Sequence, residues 1–521
     1  MIDRILTVGG ITLLSRVTGF LRDILLAAVL GAGPVADAFF VALRLPNHFR
    51  AIFAEGAFNA AFVPAYARIC GESGDRTVRL FTDRVFTLLL ASQVVLLAMA
   101  LLFTPGVIDL LAPGFSKDPV RFAVAVELTR ITFPYLLLVS LVTLYGGILN
   151  ALDRFAAAAA APILLNLSMM MTLALAAFFP TAGHAAAWGV LIAGVLEFLL
   201  VAGDAARRGV LPRLCWPRFD AEVMIFLKRF GPATIGSAGT QIALFADTII
   251  ASFLAAGALS ALYYADRLNQ LPIGVIGIAA GTVLLPEMAR RITAGDEPGA
   301  RHSQNRAIEL TLLLSLPCLV AFLLVPELIM RALFGRGAFT AADAHASAVT
   351  LMAYAIGLLP FVLMRSASVT FLARGDTTTP VKALFAGVAV NVALKILLMN
   401  QYAQAGLAFA TSMGAWINLF LLVWFASRQK LLAIDRHLTQ SAAKLAIAAV
   451  ALGVALFVCE RPIASVAPTA LRDEITLFAL MFVGGLAYGG AVALLFGKEW
   501  LAAFRRRSRA APPAPGDDAA P

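Results

Sequence analysis

Two stretches near the start of the chain decide the fold: SRVTGFLRD at residues 15–23 and GAGPVADAFFVALRLPNHFRAIFAEGAFNAAFVP at residues 31–64. They are long and apolar enough to cross a bilayer twice, since about 20 helical residues span its hydrocarbon core. An arginine at the centre of a membrane helix costs about 2.5–3.5 kcal/mol, so charged residues there face a bundle interior or a cavity. The stretches nevertheless hold Arg16, Arg22, Asp23, Asp37, Arg44, Arg50 and Glu55. They therefore predict a membrane protein with a charged cavity.

The composition of the whole chain agrees with a membrane protein. Of its 521 residues, 60% are hydrophobic and 14% are charged, and the mean hydropathy is +0.87. A soluble domain is nearer one quarter charged. The apolar runs have the length of helices rather than the ten-residue alternation of a β-barrel, which predicts an all-α polytopic fold. The four cysteines are far apart and are expected to be small packing residues, so no metal and no cofactor are expected.

Fourteen membrane spans fit the apolar pattern. They lie near residues 5–30, 36–63, 82–105, 122–149, 157–180, 185–204, 228–255, 260–288, 307–333, 346–372, 380–401, 406–427, 438–458 and 474–497. With the N-terminus in the cytoplasm, the cytoplasmic loops, the adjoining span ends and both termini hold 26 of the 41 Lys and Arg residues, the outer loops hold four, and the other eleven lie within or at the border of spans. This asymmetry predicts that both termini are cytoplasmic. The net charge of +10 is then mainly a topology signal, with anionic lipid headgroups as its expected contact and no nucleic-acid partner.

The chain also repeats itself at a nearly constant offset. VPAYAR at residues 63–68 and LPEMAR at residues 285–290 are 222 positions apart, and Pro134 has a counterpart in Pro360 at an offset of 226. An offset of six spans, an even number, predicts two parallel lobes related by an axis along the membrane normal. The predicted division is an N-lobe at 1–205 (spans 1–6), a cytoplasmic linker at 206–227, a C-lobe at 228–430 (spans 7–12), two added spans at 431–500, and a basic, then Pro/Ala-rich, disordered tail at 501–521.

The intramembrane charges do not balance. The cations are Arg16, Arg22, Arg44, Arg50, Arg267, Arg365 and Lys395, and the anions are Asp23, Asp37, Glu55, Asp247 and Asp266. The surplus of two positive charges away from bulk water favours an anionic ligand, and arginine suits a phosphate because its planar fork binds two oxygens. A purely structural interpretation also stands, with Arg22–Asp23 and Asp266–Arg267 as local ion pairs and Arg50 reaching the membrane surface.

Arg16 and Arg22 are six residues apart, which separates them by about 120° on a straight helix. Both can face one cavity only if the helix bends, which Gly19 between them permits. Glu55 shares a helix face with Asn59 and is as consistent with helix packing as with a functional role. No Walker A loop is present, so the chain is expected to be a transporter and not an enzyme with catalytic residues.

At this point the sequence resembles a known family. SRVTGFLRD, GAGPVADAFFVALRLPN, FAEGAFNAAFVP, LYYADRLNQLPIGVIGIAAGTVLLP and ARGDTTTPVK are similar to motifs of the MurJ (MviN) lipid II flippases, within the multidrug/oligosaccharidyl-lipid/polysaccharide exporter superfamily. The resemblance covers the chain except its tail after Arg509. It implies fourteen helices in two lobes, with spans 13 and 14 forming a groove for the lipid tail. The implied function is to flip lipid II, the undecaprenyl-pyrophosphoryl disaccharide-peptide of peptidoglycan biosynthesis, across the bacterial inner membrane by alternating access.

The resemblance also assigns roles to residues. Substrate-binding roles carry over to Arg16, Arg22, Asp23, Arg50 and Arg267, and Arg365 takes the place of a basic residue seen in some members. Supporting or gating roles are expected for the remaining charged residues and one amide: Asp37, Arg44, Glu55, Asp266, Asp247, Lys395 and Asn391.

A sodium site found in some members of the family is expected to be missing from this chain. Asp247, Asn391 and Thr411 match three of its positions, but Lys395 stands where a second Asp is needed. The Lys395 ammonium is expected to occupy the place of the cation and to pair with Asp247.

The expected partners are lipid II and anionic lipids, with cell-wall synthesis proteins as further candidates, and the chain is expected to be a monomer. Three rival functions stay open: a flippase of another polyprenyl-diphosphate-linked glycan such as O-antigen units, an exporter of cationic drugs, and a membrane scaffold that transports nothing. The basic surplus counts against a drug exporter, whose cavity should be acidic, and a scaffold should have balanced charges.

Overall fold

The computed structural model describes residues 2–50, 58–72 and 74–507, and every regular element within them is helical. The helices of the first half are α1 (Ile2–Leu30), α2 (Pro34–Phe49), α3 (Asn59–Glu72), α4 (Gly74–Leu102), α5 (Thr104–Leu111), α6 (Pro119–Thr132), α7 (Pro134–Ala151), α8 (Ala156–Ala174), α9 (Ala182–Arg207) and α10 (Ala221–Ser252). Those of the second half are α11 (Ala258–Pro272), α12 (Ile278–Thr293), α13 (Glu297–Leu324), α14 (Pro326–Phe334), α15 (Ala341–Ala355), α16 (Leu358–Leu372), α17 (Thr378–Arg428), α18 (Arg436–Val466) and α19 (Arg472–Arg507). Glu55 and the tail from residue 508 onward lie outside the described residues.

Nine helical stretches in the described part of the chain are long and apolar enough to cross a bilayer, judged by length and composition. They are Arg76–Leu102, Pro119–Ala151, Ala156–Ala174, Ala182–Arg207, Glu297–Leu324, Ala341–Leu372, Thr378–Arg428, Arg436–Val466 and Arg472–Gly497. The 51-residue α17 is interrupted at Ala403, whose φ of 45° lies outside the right-handed helical region. This helix therefore consists of two helical halves.

Two long predicted spans are interrupted just before a proline. The first breaks at Phe133, and α7 begins with Pro134. The second breaks at residues 356–357, and α16 has Pro360 in its first turn. Proline lacks the N–H that would continue the preceding helix but fits the first turn of a new one. A proline thus lies at or close to the interruption in both spans, at equivalent places in the sequence repeat.

A second kind of interruption involves π-helical turns. Residues Ile273–Gly277, between α11 and α12, form a π-helix. Such turns are rare and often mark functional sites.

The chain divides into two compact units. The first comprises Met1–Tyr264, Phe334–Ser347 and Val392–Leu407, and the second Ala265–Leu333, Ala348–Asn391 and Ala408–Pro521. The first unit has a large core of buried apolar side chains from α3, α4, α7 and α10, including Phe62, Phe81 and Ile148, which are at most 1% exposed. The second has smaller buried clusters between α12, α13 and α16 and between α16 and α17.

Candidate functional site

Arg22 of α1 is held in a fixed orientation within the first unit. Its Nη2 and Nε donate to Oδ1 of Asp23 at 2.7 and 3.1 Å, and its Nη1 donates to Oδ1 of Asn166 at 3.0 Å. The amide of Asn166 donates in turn to the Ser15 carbonyl and the Thr18 hydroxyl, at 3.0 and 3.1 Å. The side chain of Arg22 is only 11% exposed. The guanidinium therefore keeps its charge in a largely buried place because a carboxylate and an amide orient it.

The other cations predicted in the opening stretches have different surroundings. Arg16 is exposed, six positions before Arg22 on the same helix. Arg44 is partly buried and donates through Nη1 to the hydroxyl of Thr248 at 3.1 Å. Arg50 is also partly buried and acts electrostatically on Glu197. The structure thus ties Arg22, Arg44 and Arg50 to polar neighbours of the first unit.

Asp37 binds the amino end of α11 from a distant part of the sequence. It is 1% exposed. Its carboxylate accepts hydrogen bonds from the backbone N–H of Gly257 at 2.8 Å and from the N–H and hydroxyl of Ser260 at 2.9 and 2.6 Å. The first N–H groups of a helix have no partner within the helix and carry a partial positive charge, which a carboxylate satisfies. Asp37 therefore caps the amino end of α11, although it lies 223 positions before Ser260 in the sequence.

Arg121 completes this cluster from α6. Its Nη1 lies 3.5 Å from Oδ2 of Asp37, and Nη2 donates to the Ser252 and Leu254 carbonyls at 2.9 and 3.3 Å. These carbonyls lie at the carboxyl end of α10, where a cation is favoured. Its guanidinium also lies over the Phe115 ring at 4.0 Å from the centroid. Arg121 and Asp37 both contact the turn between α10 and α11. Their charges therefore stabilise this turn.

Lys395 and Asp247 form an ion pair in the first unit. The lysine side chain is 2% exposed and the aspartate side chain 28% exposed. The pairing expected from the sequence is present. The Lys395 ammonium therefore contacts the Asp247 carboxylate oxygen to which a metal cation would otherwise bind.

The predicted residues of the second unit are Asp266, Arg267, Arg365 and Asn391. Asp266 accepts a hydrogen bond from Gln270 one turn later, at 2.6 Å, and Arg267 beside it is partly buried.

Arg365 is exposed and lies over Gly277 of the π-helix, where an added Cβ would be 3.2 Å from its Cδ. Asn391 packs against Gly414, where an added Cβ would be 2.8 Å from the Asn391 Cβ. Glycine at positions 277 and 414 therefore allows Arg365 and Asn391 to approach the helix backbone closely.

Sequence reasoning missed two buried charges in the first unit, Arg121 and Glu197. Glu197 is 3% exposed and accepts a hydrogen bond from the Tyr135 hydroxyl at 3.4 Å. Both residues lie in apolar stretches, and their charge alone could have identified them.

The fold has close counterparts among solved structures of transporters. A structure described as "Lipid II flippase MurJ, inward closed conformation" matches with a TM-score of 0.81 and 24% identity, over 95% of this chain and 99% of that one. An inward-facing multidrug transporter of the MATE family, in the MOP superfamily, matches with a TM-score of 0.64 and 16% identity, over 80% and 95% of the chains. The chain thus has the all-helical, multi-pass membrane fold of these proteins.

Its sequence relatives define the family. Residues 26–468 match the family described as "Lipid II flippase MurJ". The "Probable lipid II flippase MurJ" of Rhizobium tropici is 40% identical, over 100% of this chain and 98% of its own length, and that of Rhizobium meliloti is 40% identical over 97% and 96%. The chain belongs to the MurJ lipid II flippase family, whose members are transporters rather than enzymes.

Proposed function

We propose that this protein moves lipid II from the cytoplasmic to the outer leaflet of the bacterial inner membrane by alternating access. The observation that carries the proposal is the match of family and relatives over nearly the whole chain. The charged residues of the first unit support it, because Arg22 is held in a largely buried place with a fixed orientation. A diphosphate is a ligand that a preoriented guanidinium binds well.

We further propose fourteen membrane spans in two parallel lobes of six, with spans 13 and 14 added and both termini cytoplasmic. The nine apolar stretches include α17, which supplies two spans because it breaks at Ala403. The four remaining spans correspond to α1, to α2 with α3, to α10, and to α11 with α12. The repeated breaks before Pro134 and Pro360 support two copies of one six-helix plan.

The substrate's diphosphate is proposed to dock on Arg16, Arg22 and Arg267, with Arg50 and Arg365 as further contacts. Arg22 has the strongest support, because Asp23 and Asn166 fix the direction of its guanidinium group. The roles of Arg16, Arg267 and Arg365 rest on the resemblance to the family.

We propose that no sodium ion binds at Asp247 during transport, because the Lys395 ammonium is paired with that carboxylate. Transport by the purified protein should then proceed equally in sodium and in choline buffers. Sodium binding by the wild-type protein that disappears in Asp247→Ala would overturn this proposal.

Complementation tests the proposed function. The chain is expressed in a bacterium depleted of its own lipid II flippase, and growth and externally labelled lipid II are measured. We expect both to be restored by the wild-type chain and impaired by Arg22→Lys, because one ammonium cannot reproduce the contacts of the fork. Arg291→Lys is the matched control, because Arg291 also pairs through Nε and Nη1, with Glu287 and Asp296, but lies between the predicted spans.

Failure of a well-expressed wild-type chain to expose lipid II would contradict the proposal. Exposure of lipid-linked O-antigen units instead would establish the alternative substrate. Equal activity of Arg22→Lys and Arg291→Lys would show that transport does not require the fork geometry of the Arg22 guanidinium.

A further inference from the structure

The segment that joins α9 to α10 has features that transport does not explain. We call residues 208–220 the strap. It has no regular secondary structure beyond a turn at its start, and it contains Pro212 and Pro217, which have no N–H to leave unsatisfied. Because it connects the end of one predicted span to the start of the next, it must lie at a membrane surface.

The strap is attached to α4 at three points. The backbone N–H of Arg213 donates to Oδ1 of Asp83 at 2.7 Å, and the N–H of Cys215 donates to the Thr87 hydroxyl at 3.1 Å. At its end, Asp220 forms an ion pair with Arg84. The strap therefore runs along this helix at a fixed height.

The attachment points mark the boundary between water and lipid. The charged residues of α4 end at Arg84, and residues 85–102 contain no charged side chain. Asp83 and Thr87 lie on either side of this boundary, about 6 Å apart at 1.5 Å per residue. The strap thus lies at the depth of the phospholipid headgroups.

Large apolar side chains of the strap point away from the protein. Leu214 is 71% exposed, Trp216 81% and Phe219 63%. Leu214 and Trp216 are two residues apart, which places them on one face of an extended chain. Tryptophan is enriched at membrane–water interfaces because its ring is apolar and its N–H is polar. These side chains match a lipid surface.

The charges of the strap match an anionic surface. Arg208, Arg213 and Arg218 are all exposed. The one acidic residue of the strap, Asp220, is already paired with Arg84. Interfacial aromatic residues with interspersed arginines bind leaflets that contain anionic lipid.

We propose that the strap is a membrane-interface anchor that binds anionic phospholipids. Trp216, with Leu214 and Phe219, lies between the headgroups, and the arginines bind lipid phosphates. The attachment to α4 presents the strap to lipid in advance, so little chain entropy is lost on binding. The anchor requires only that the strap lies at a membrane surface, and it does not depend on which substrate is transported.

Fluorescence of a variant whose only tryptophan is Trp216 tests the anchor. The full chain, with its other four tryptophans changed to Phe, is reconstituted in phosphatidylcholine vesicles with and without phosphatidylglycerol. Quenching by lipids brominated near the headgroup or deep in the acyl chain is measured together with quenching by aqueous iodide. We expect strongest quenching by the shallow bromines and a severalfold lower iodide quenching constant in vesicles than in detergent, with more protection when phosphatidylglycerol is present.

Two controls separate the lipid contact from general burial. A variant that retains only Trp416, which is 39% exposed and lies at the middle of the predicted span 406–427, should respond to the deeper bromines and be insensitive to phosphatidylglycerol. Arg213→Gln with Arg218→Gln should remove the effect of phosphatidylglycerol, since the Arg213 contact with α4 is made by its backbone. If the Phe substitutions prevent folding, the change in quenching between wild type and Trp216→Phe gives the same measurement.

Full iodide access to Trp216 in vesicles, with no quenching by brominated lipid, would overturn the anchor and leave the strap as a surface for a protein partner. Lipid quenching that does not depend on phosphatidylglycerol or on the two arginines would overturn the role of anionic lipid.

Discussion

The ion pair between Lys395 and Asp247 predicts that its two partners are unequal in their effect on stability. The lysine side chain is 2% exposed and the aspartate side chain 28% exposed. Asp247→Ala removes the carboxylate that is paired with this buried ammonium group, which costs about 3–5 kcal/mol in comparable pairs. Lys395→Met leaves a carboxylate that water reaches, so its cost should be nearer about 1 kcal/mol, as for accessible pairs.

The double variant makes this prediction sharper. Replacing a whole buried ion pair by apolar residues is often neutral, because the desolvation of both charges disappears with them. Asp247→Ala combined with Lys395→Met should therefore be more stable than Asp247→Ala alone by about 2 kcal/mol or more.

Equilibrium unfolding of the purified variants in mixed micelles measures these differences. Equal losses for the two single variants would refute the inference drawn from their exposures. A double variant less stable than Asp247→Ala alone would show that Lys395 is stabilised by groups other than this carboxylate.

Three further predictions concern other charged residues. Arg22→Lys should lower lipid II exposure in complemented cells at least about tenfold, because a charge-assisted hydrogen bond contributes about 1.5–3 kcal/mol, and wild-type exposure would contradict this. Asp37→Ala should lower the free energy of unfolding by about 3–5 kcal/mol, since it removes the carboxylate that pairs with Arg121 and accepts from the N–H groups of Gly257 and Ser260; a loss within about 0.5 kcal/mol in micelle titrations would refute the cap. Hydrogen bonds from the Thr379 hydroxyl and from backbone N–H groups lower the pKa of Asp376 below its usual 3.8, so this carboxylate stabilises the fold above that pH and the effect is lost as the pH falls through the lowered pKa. Asp376→Ala should cost about 0.5–2 kcal/mol at pH 7 and progressively less below about pH 4, and a loss that does not change with pH would contradict it.

Much of the fold could be predicted because membrane helices have a strong local signal. Long apolar runs predicted the helices, and the family resemblance predicted the class of transporter that the comparisons confirm. The breaks inside the spans were harder to predict. Pro134 and Pro360 are visible in the sequence, whereas the π-helix at Ile273–Gly277 and the kink at Ala403 were not predicted from it.

The candidate site was predictable for single charges and not for their partners. Arg22 and Asp23 are adjacent in sequence, so their pairing could be proposed as a local contact. Asp37 and Ser260 are 223 positions apart, and no local pattern shows that a carboxylate on α2 caps α11. The partners of Arg121 could not be predicted for the same reason, because its carbonyl acceptors lie more than 130 positions later.

Movement of purified lipid II across a vesicle membrane tests the proposed function most directly. The chain is reconstituted with lipid II in vesicles of purified phospholipid that contain no other protein. The fraction of lipid II accessible to a membrane-impermeant label is followed over time. Accessibility should change much faster with the wild-type chain than in vesicles without protein, and Arg22→Gln should abolish the difference while leaving the protein folded. A rate equal to that of protein-free vesicles, with a folded and correctly inserted chain, would contradict a role in flipping lipid II.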